Sequence, residues 1–274
     1  IRMKYISIAI IALILIGGGI YYYFHNSNAT DITNEIDTPV DTTPTPEDTN
    51  EEPMPVEPDE GIGGEVPEAG PVEIIGQSVN GADITAYHFG EGETEVLFVG
   101  GLHSGFSPNT VAVAEELVAA LETEAITVPA NLRVTVIPNV NPDADRAVNQ
   151  LAGRLNANDV DLNRNFDCEW QAEGVWRDTP VSGGSAPFSE PEARALRDYV
   201  QSQGVDAAVV YYAAAGGVFA SNCQNGVLPL TAEMTDAYAA AAGYQASQEF
   251  DFYEITGDAV NWMAGEGVPA ISVL

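Results

Sequence analysis

The chain has 274 residues, and its 41 acidic side chains against nine basic ones give a formal net charge of −32. So negative a chain repels phosphate groups, which excludes nucleic acid and anionic membrane surfaces as expected partners. Its 45% hydrophobic content is enough for one domain with a sizeable core.

The N-terminal part of the chain contains a long apolar segment. Twenty uncharged residues run from Tyr5 to Phe24, and Arg2 and Lys4 precede them. This is long enough to cross the ~30 Å hydrocarbon core of a bilayer as a helix. The positive charges before it predict that everything after Phe24 is exported. We therefore predict a membrane anchor in residues 1–30, the only membrane contact, and a cell-surface location. A cleaved signal peptide on a secreted protein is the alternative.

The segment that follows has the composition of a linker. Residues 31–71 hold thirteen Asp and Glu, eight prolines and no Lys or Arg. A segment with few apolar groups and charges of one sign cannot build a core and repels itself, so we predict a disordered, extended stalk. The remaining residues, 72–274, are predicted to form one domain.

Strand-like and helix-like patterns alternate through residues 72–274. Short apolar strands are predicted at 96–99, 133–137 and 207–212, and helices at 109–122, 189–203, 231–242 and 258–264. The residues Ser189 to Glu192 predict a capping box with a proline in the first turn. This alternation is typical of an α/β domain with a mixed, mainly parallel sheet covered by helices on both faces. In such sheets, ligands bind at the strand ends and the loops that follow.

The segment from Arg154 to Phe166 carries the strongest chemical signal. Its two arginines, Arg154 and Arg164, are ten positions apart, and Asn163 precedes the second. Arginine presents a fork of donors that fits a carboxylate, which a lysine could not reproduce. The segment therefore predicts an anion-binding site. An Asn- and Asp-rich loop that caps its own backbone is the structural alternative.

The same segment resembles the signature of the zinc carboxypeptidase family. Arg-x-Asn is followed at 159–166 by Asp-Val-Asp-Leu-Asn-Arg-Asn-Phe. Residues 100–103, Gly-Gly-Leu-His, resemble the strand end that carries the first zinc-binding histidine of the family. Residues 253–262 resemble its mobile-tyrosine loop and the helix after it. The similarity runs in order from about residue 72 to the last residue, and it implies the fold of the family.

The resemblance implies a metallocarboxypeptidase, which removes C-terminal residues from peptides with the help of zinc. The expected partner is a peptide with a free C-terminal carboxylate, gripped by Asn163 and Arg164. The resemblance further implies that Arg154 stabilises the developing oxyanion and that Tyr253 closes over the substrate. Asp258 lies where the family shapes its side-chain pocket and would favour a basic or amino-bearing side chain. Helix capping explains this aspartate equally well.

The metal site departs from the family pattern of two histidines and one glutamate. The sequence has three histidines, His25, His88 and His103, and only His103 falls at a ligand position. The resemblance implies that Asp161 orients the ring of His103 through a hydrogen bond, as carboxylates commonly do for metal ligands.

The other two expected ligands are replaced. Phe106 and Ser107 stand where the glutamate is expected, and we assign Ser107 to the ligand position. The second histidine is replaced by Tyr212 or Ala213, and we assign Tyr212. One histidine among neutral neighbours predicts weak zinc binding, because a catalytic zinc needs three protein ligands. The general-base glutamate belongs at or just after Leu274, so the fold is expected to lack its C-terminal part.

The two cysteines, Cys168 and Cys223, are expected to form a disulfide. The resemblance brings their loops to the same rim of the sheet, and an exported domain favours pairing over two free thiols.

Two functions follow from these observations. The first is an anchored extracellular metallocarboxypeptidase, with cell-wall peptides among its candidate substrates and with hydrolysis weakened or lost. The second is a binding module that keeps the carboxylate clamp and no longer hydrolyses peptides.

Overall fold

The structure is a computed structural model that describes residues 71–274. The predicted membrane segment, His25 and all but the last residue of the predicted stalk lie outside this range. Within it, the strands are β1 (Val72–Gln77), β2 (Asp83–Phe89), β3 (Thr94–Val99), β4 (Leu132–Ile137), β5 (Glu173–Trp176), β6 (Thr179–Ser182), β7 (Ala207–Tyr211), β8 (Gly217–Ala220), β9 (Gln245–Ser247) and β10 (Ala270–Val273).

Four α-helices alternate with these strands in the same range of residues. They are α1 (Pro108–Glu122), α2 (Pro191–Gln203), α3 (Pro229–Ala242) and α4 (Ala259–Gly265). Between residues 71 and 274, no helix combines the length and the apolarity needed to span a bilayer. The helices and strands predicted for residues 72–274 are present, with ends that differ from the prediction by one or two residues.

Eight strands of the described chain form one mixed sheet, in the order β1-β2-β4-β3-β7-β10-β8-β9. Strands β4, β3, β7 and β10 are parallel neighbours at its centre. Strands β1 and β2 join antiparallel on one side and β8 on the other, with β9 parallel to β8. This confirms a mixed, mainly parallel sheet. Central strands buried on both faces are apolar throughout, which explains the continuous apolar runs of the sequence.

Alternate residues of the central strands build two separate cores. In β3, Val96 and Phe98 pack in the core that contains α1 and α3. Leu97 and Val99 point to the opposite face and pack in the core that contains α2 and α4. Because successive side chains of a strand point to opposite faces, one strand serves both cores. The prediction of helices on both faces is confirmed.

Helix α2 begins without the predicted capping box, and this prediction is wrong. The residue before the helix is Glu190, whose side chain makes no capping bond; instead, Ser189 Oγ donates to Glu190 Oε1 at 2.8 Å. Glu192 accepts hydrogen bonds from Val79 N at 3.0 Å and from Asn156 Nδ2 at 3.1 Å. Glu190 Oε2 accepts from Asn156 Nδ2 at 2.9 Å and from Asn158 Nδ2 at 2.7 Å. Both glutamates therefore hold the loop that carries the predicted anion site through long-range bonds.

Candidate functional site

A cavity of about 1040 Å³ opens at the carboxyl ends of the central strands. His103 lies beyond β3, Tyr212 directly follows β7, and Leu274 directly follows β10; all three line the cavity. This is the edge at which open α/β sheets bind their ligands. The volume is at the upper end of the range of small-molecule sites, about 300–1,000 Å³, and is large enough for a short peptide.

The floor of the cavity is a buried polar network centred on Asp161. Its Oδ1 accepts a hydrogen bond from His103 Nε2 at 2.7 Å. Its Oδ2 accepts two from Arg154, from Nε at 3.0 Å and from Nη2 at 2.9 Å. Asp161 has no exposed surface, and Arg154 retains only 4%. Forked bonds of this kind are among the strongest in proteins, so they fix the position of Arg154.

The charges in this network keep the histidine neutral. Burial alone would raise the pKa of Asp161, but Arg154 and His103 beside it lower that pKa far below its usual range. Burial and the charge of Arg154 lower the pKa of His103 to about 4, although Asp161 opposes them. At pH 7 the imidazole is therefore neutral. Its Nε2 proton is donated to Asp161, and a lone pair remains on Nδ1.

The wall around His103 is aromatic. Phe106 lines the cavity, and the ring of Tyr212 lies with its centroid 6.0 Å from that of His103. Ser107, which we had assigned to the ligand position, does not line the cavity. It is buried at the start of α1, where its carbonyl accepts a hydrogen bond from Thr110 Oγ1 at 2.8 Å. The side chain that faces the cavity at the expected glutamate is therefore Phe106.

Tyr212 is tied to the predicted anion site. Its hydroxyl donates to Asn163 Oδ1 at 2.8 Å, and Ala259 N donates to the same oxygen at 3.2 Å. Burial raises the pKa of Tyr212 well above its usual value, and the charge of Asp258 adds to this, so the phenol stays protonated. Since Asn163 Oδ1 already accepts two hydrogen bonds, the amide NH₂ group is what Asn163 can offer to a ligand.

Arg164 lies behind the cavity wall. It is fully buried, and its guanidinium donates to backbone carbonyls: Nε and Nη2 to Val175 O at 3.2 and 2.7 Å, and Nη1 to Asn163 O at 2.6 Å. The structure thus brings Asn163 and Arg154 to the cavity surface, whereas Arg164 does not line the cavity.

Tyr253 and Asp258 both line the cavity, as predicted. The Tyr253 ring is half-buried, and its centroid is 6.0 Å from Arg164 Cζ. Asp258 caps α4 by accepting from Asn261 N, but its Oδ1 has no hydrogen-bond partner among residues 71–274. Burial raises the pKa of Asp258 to about 6, against the opposing charge of Arg164. An unpaired buried carboxylate favours a cationic partner.

Gly257 holds Asp258 in place. Its φ of 63° is left-handed, and a Cβ at this position would collide with the carbonyl oxygen of Arg164. The Gly257 amide donates to Cys168 O at 2.7 Å, and Cys168 forms the predicted disulfide with Cys223. The loop after Arg164 and the loop before α4 are therefore joined tightly, which requires glycine at this position.

Two features of the cavity were not predicted from the sequence. One is the hairpin β5–β6, which carries Trp176. The guanidinium carbons of Arg154 and Arg177 lie 5.0 and 4.9 Å from the centroid of the Trp176 ring. The other is the segment 249–254, which places Phe250 and Phe252 beside Tyr253. The alternation of acidic and aromatic residues in Glu-Phe-Asp-Phe-Tyr was a signal that could have revealed the second feature.

The fold and site define an α/β protein with a peptide-sized cavity at the carboxyl edge of a mixed sheet. The chain belongs to the zinc carboxypeptidase family, whose sequence profile matches residues 61–266. Four residues that carry the resemblance fall within the matched range and line one cavity: His103, Arg154, Asn163 and Tyr253.

Three individual proteins illustrate the relationship. Murein peptide amidase A of Escherichia coli K12 is 33% identical over 135 residues, which are 45% of this chain and 51% of that protein. Bacteriocin BCN5 of Clostridium perfringens is 30% identical over 135 residues, 47% of this chain and 15% of that protein. The chain thus spans about half or less of these relatives. The crystal structure of murein-tripeptide amidase from E. coli O157 superposes with a TM-score of 0.55 at 25% identity, covering 76% of this chain and 85% of that one.

An animal enzyme shares the fold. Carboxypeptidase A from Helicoverpa armigera superposes with a TM-score of 0.61 at 19% identity over 76% of this chain and 60% of that chain. This confirms the predicted fold.

Zinc is the metal expected of this family, and the residues around His103 do not fit a three-ligand site. Within residues 71–274, no group of three or more His, Cys, Asp and Glu side chains lies close enough to hold a metal ion. The Tyr212 ring lies beside that of His103, with 6.0 Å between the centroids, and Phe106 and Leu274 line the same cavity. Tyr212 is a neutral phenol whose proton is donated to Asn163. No zinc-dependent chemical step is therefore assigned to these residues.

Proposed function

We propose that this chain binds peptides through their free C-terminal carboxylate and that its hydrolytic activity is weakened or lost. Membership of a peptidase family supports a peptide ligand. The observation that carries the proposal is the environment of His103, where Phe106 and Tyr212 take the places expected for a glutamate and a histidine. A catalytic zinc normally has three protein ligands and one water, and a single neutral imidazole holds the metal weakly.

The ligand's carboxylate is held by groups at the floor of the cavity. The Asn163 amide and the Arg154 guanidinium reach the cavity surface, while Arg164 contributes positive charge from behind the wall. Tyr253 covers the ligand. The unpaired Asp258 oxygen selects a ligand residue that carries an amine. The similarity to murein peptide amidase A makes cell-wall peptides the first candidates.

A hydrolase with a rebuilt metal site is the second candidate, and one contact favours it. His103 Nε2 donates to Asp161 at 2.7 Å, which is the arrangement that orients metal-binding imidazoles elsewhere. It leaves Nδ1 with its lone pair. The two candidates differ in whether the chain binds zinc.

Two experiments distinguish the two candidates: a measurement of the zinc content, and the introduction of the two expected zinc-binding side chains by mutation. The full chain, purified in detergent and dialysed, should contain far less than one zinc per chain. The double variant Phe106→Glu with Tyr212→His should raise the zinc affinity by about a hundredfold or more, because it completes a three-ligand set. Each single change should raise it much less. Stoichiometric zinc in the unmodified chain would instead support the hydrolase.

A matched control tests whether the glutamate must be at position 106 to bind zinc. Ser107→Glu adds the same side chain one position later, where it starts α1 outside the cavity. Combined with Tyr212→His, it should not raise zinc affinity. If this pair bound zinc as tightly as the Phe106→Glu pair, the assignment of Phe106 to the ligand position would be wrong.

Peptide binding is tested by blocking the carboxylate. In calorimetry, acetylated alanine peptides with a free C-terminus should bind, and their C-terminal amides should bind at least about tenfold more weakly, since the loss of one partner from a buried charge pair costs about 2–5 kcal/mol. Equal binding of acid and amide would contradict the proposed function.

We also propose that the domain is anchored in the membrane by residues 1–30 and exported to the cell surface on the stalk of residues 31–71. The apolar segment and the acidic, proline-rich composition support this. Protease added outside intact cells should release the domain by cutting within the stalk. A mature protein that lacks Tyr5 to Phe24 would indicate secretion, and full protection from the protease would indicate a location inside the cell.

A further inference from the structure

Three phenylalanines form a cluster at the mouth of the cavity. The ring centroids of Phe219 and Phe250 are 5.3 Å apart, those of Phe250 and Phe252 are 5.1 Å apart, and those of Phe219 and Phe252 are 5.9 Å apart. We call Phe219, Phe250 and Phe252 the aromatic platform. Phe250 also contacts Tyr253, with ring centroids 5.0 Å apart. The platform therefore continues from the residue predicted to cover the ligand.

The aromatic platform lies outside the two core clusters that flank the sheet. Phe219 is itself buried, with 4% exposure, so the platform offers a ligand mainly the ring of Phe252. Phe252 keeps 62% of its surface exposed and is the one exposed aromatic among the large exposed hydrophobic residues of the range 71–274. A phenylalanine this exposed contributes little to folding, since most of its apolar surface stays in water. Its position at the cavity mouth instead suits contact with a ligand.

Acidic side chains surround the aromatic platform. Glu249, Asp251 and Glu254 are exposed and line the same cavity. Among the ion pairs formed within residues 71–274, none includes these three carboxylates. Deeper in the cavity, the buried Asp258 has an unpaired oxygen. Two arginines also line the cavity. Arg154 is paired with Asp161, and the guanidinium of Arg177 lies over the Trp176 ring of the hairpin β5–β6. Among the described residues, six carboxylates line the cavity against these two arginines, so the cavity is negative as well as aromatic.

Resting on the function proposed above, we infer that the aromatic platform binds a basic side chain of the peptide, a lysine or arginine that precedes the C-terminal residue. The exposed face of Phe252 attracts a cation through the ring quadrupole. The carboxylates of Glu249, Asp251 and Glu254 add attraction and repel acidic peptides. An uncharged apolar side chain would gain from the rings but not from the three carboxylates.

The peptide test uses matched side chains of equal length. The full chain in detergent is titrated with acetylated tetra-alanine peptides that have a free C-terminus and one lysine at one of the three preceding positions. Each has a partner with the uncharged norleucine at that position. At least one lysine peptide should bind about threefold to fivefold more tightly than its partner, as expected for an exposed cation–π contact. High salt should reduce this preference.

Variants then assign the preference to the platform. Phe252→Leu keeps an apolar side chain but removes the ring, and should lower the preference for lysine while changing norleucine binding much less. Changing Glu249, Asp251 and Glu254 together to their amides should also lower the preference, and all four changes together should abolish it. Glu124→Gln, an exposed acid that does not line the cavity, and Val148→Ala, at another exposed apolar residue, serve as controls and should leave the preference intact.

The outcomes separate this inference from the proposed function. If acid peptides bind and amides do not, but lysine and norleucine bind equally at every position, the platform inference is wrong and the proposed function stands. The same conclusion follows if the preference is undiminished in Phe252→Leu. If acid and amide peptides bind equally, or no peptide binds, the proposed function fails and the inference fails with it. The comparison of peptides on the unmodified chain does not depend on any variant folding.

Discussion

The floor and the wall of the cavity differ in the interactions that hold their side chains. The floor consists of His103, Asp161 and Arg154, which are buried and joined by three hydrogen bonds of 2.7–3.0 Å. The wall lines the same cavity with Phe106 and with Tyr212, whose ring centroid is 6.0 Å from that of the imidazole. The hydrogen bonds that orient His103 are thus complete, whereas the wall of the cavity is aromatic and uncharged at these two residues.

This difference indicates why residues of the wall tolerate substitution and residues of the floor do not. A buried ion pair that loses one partner leaves an uncompensated charge, which is among the most costly single defects in a protein. A metal ligand at a cavity surface can become an aromatic residue at little cost, since the new ring packs against its neighbours: Phe106 lies edge-on to Trp176 at 5.4 Å between ring centroids. Folding stability alone is therefore enough to constrain the residues of the floor.

The first prediction removes the centre of the floor. Asp161→Ala leaves the Arg154 guanidinium buried without its partner, and we expect a loss of about 3–5 kcal/mol in the free energy of unfolding. Denaturant titration followed by tryptophan fluorescence measures it. Asp167→Ala, an exposed position in the same segment, is the matched control and should change stability by less than about 0.5 kcal/mol. A small effect of Asp161→Ala would show that the floor is not structural.

The second prediction concerns the protonation of Asp258, a buried carboxyl group that lines the cavity. Its pKa is raised from 3.8 to about 6, so the folded state holds this proton more tightly than the unfolded state. Stability should therefore fall as pH rises from about 4 to 6, by up to about 3 kcal/mol, and the loss should persist above that range. Below pH 3.8 both states are protonated, and the effect vanishes.

Comparison with Asp258→Asn isolates this group. The asparagine keeps the shape and can still cap α4, but it does not titrate. The variant should gain stability over the unmodified chain between pH 4 and 6, and the gain should stay constant at higher pH. Glu192, whose pKa is also raised by burial, contributes equally to both proteins and cancels in the difference. A difference that does not change with pH would contradict the assignment.

The sequence predicted the elements whose signals are local. Apolar runs located β3, β4 and β7, and the Arg-x-Asn segment with His103 located the edge of the sheet where the cavity opens. The capping box at Ser189 was wrong because long-range hydrogen bonds took its place: Glu192 bonds Val79 and Asn156, which are distant in sequence. A local pattern carries no information about such partners.

The sequence identified which residues belong to the site, but not which of their side chains face the cavity. The sequence placed Asn163 and Arg164 side by side, yet only Asn163 reaches the cavity, because Val175 from the hairpin β5–β6 accepts two hydrogen bonds from Arg164. Likewise Ser107 and Phe106 are neighbours, and the start of α1 decides which of them faces the cavity. Both residues precede the first residue of α1, and Ser107 at its N-cap has non-helical backbone angles. The conformation of this loop, which the sequence pattern does not specify, places Phe106 in the cavity lining and Ser107 outside it.

The last prediction makes the smallest change to the wall. Tyr212→Phe removes one hydroxyl, whose hydrogen bond to Asn163 Oδ1 is 2.8 Å long. Asn163 Oδ1 still accepts from Ala259 N, so no buried acceptor is left without a partner. We expect a loss of about 1 kcal/mol in the free energy of unfolding, the net value of one hydrogen bond. Denaturant titration at pH 7 measures this, and the pH dependence due to Asp258 should remain. A loss as large as that of Asp161→Ala would place Tyr212 in the structural floor and remove the distinction between the two regions.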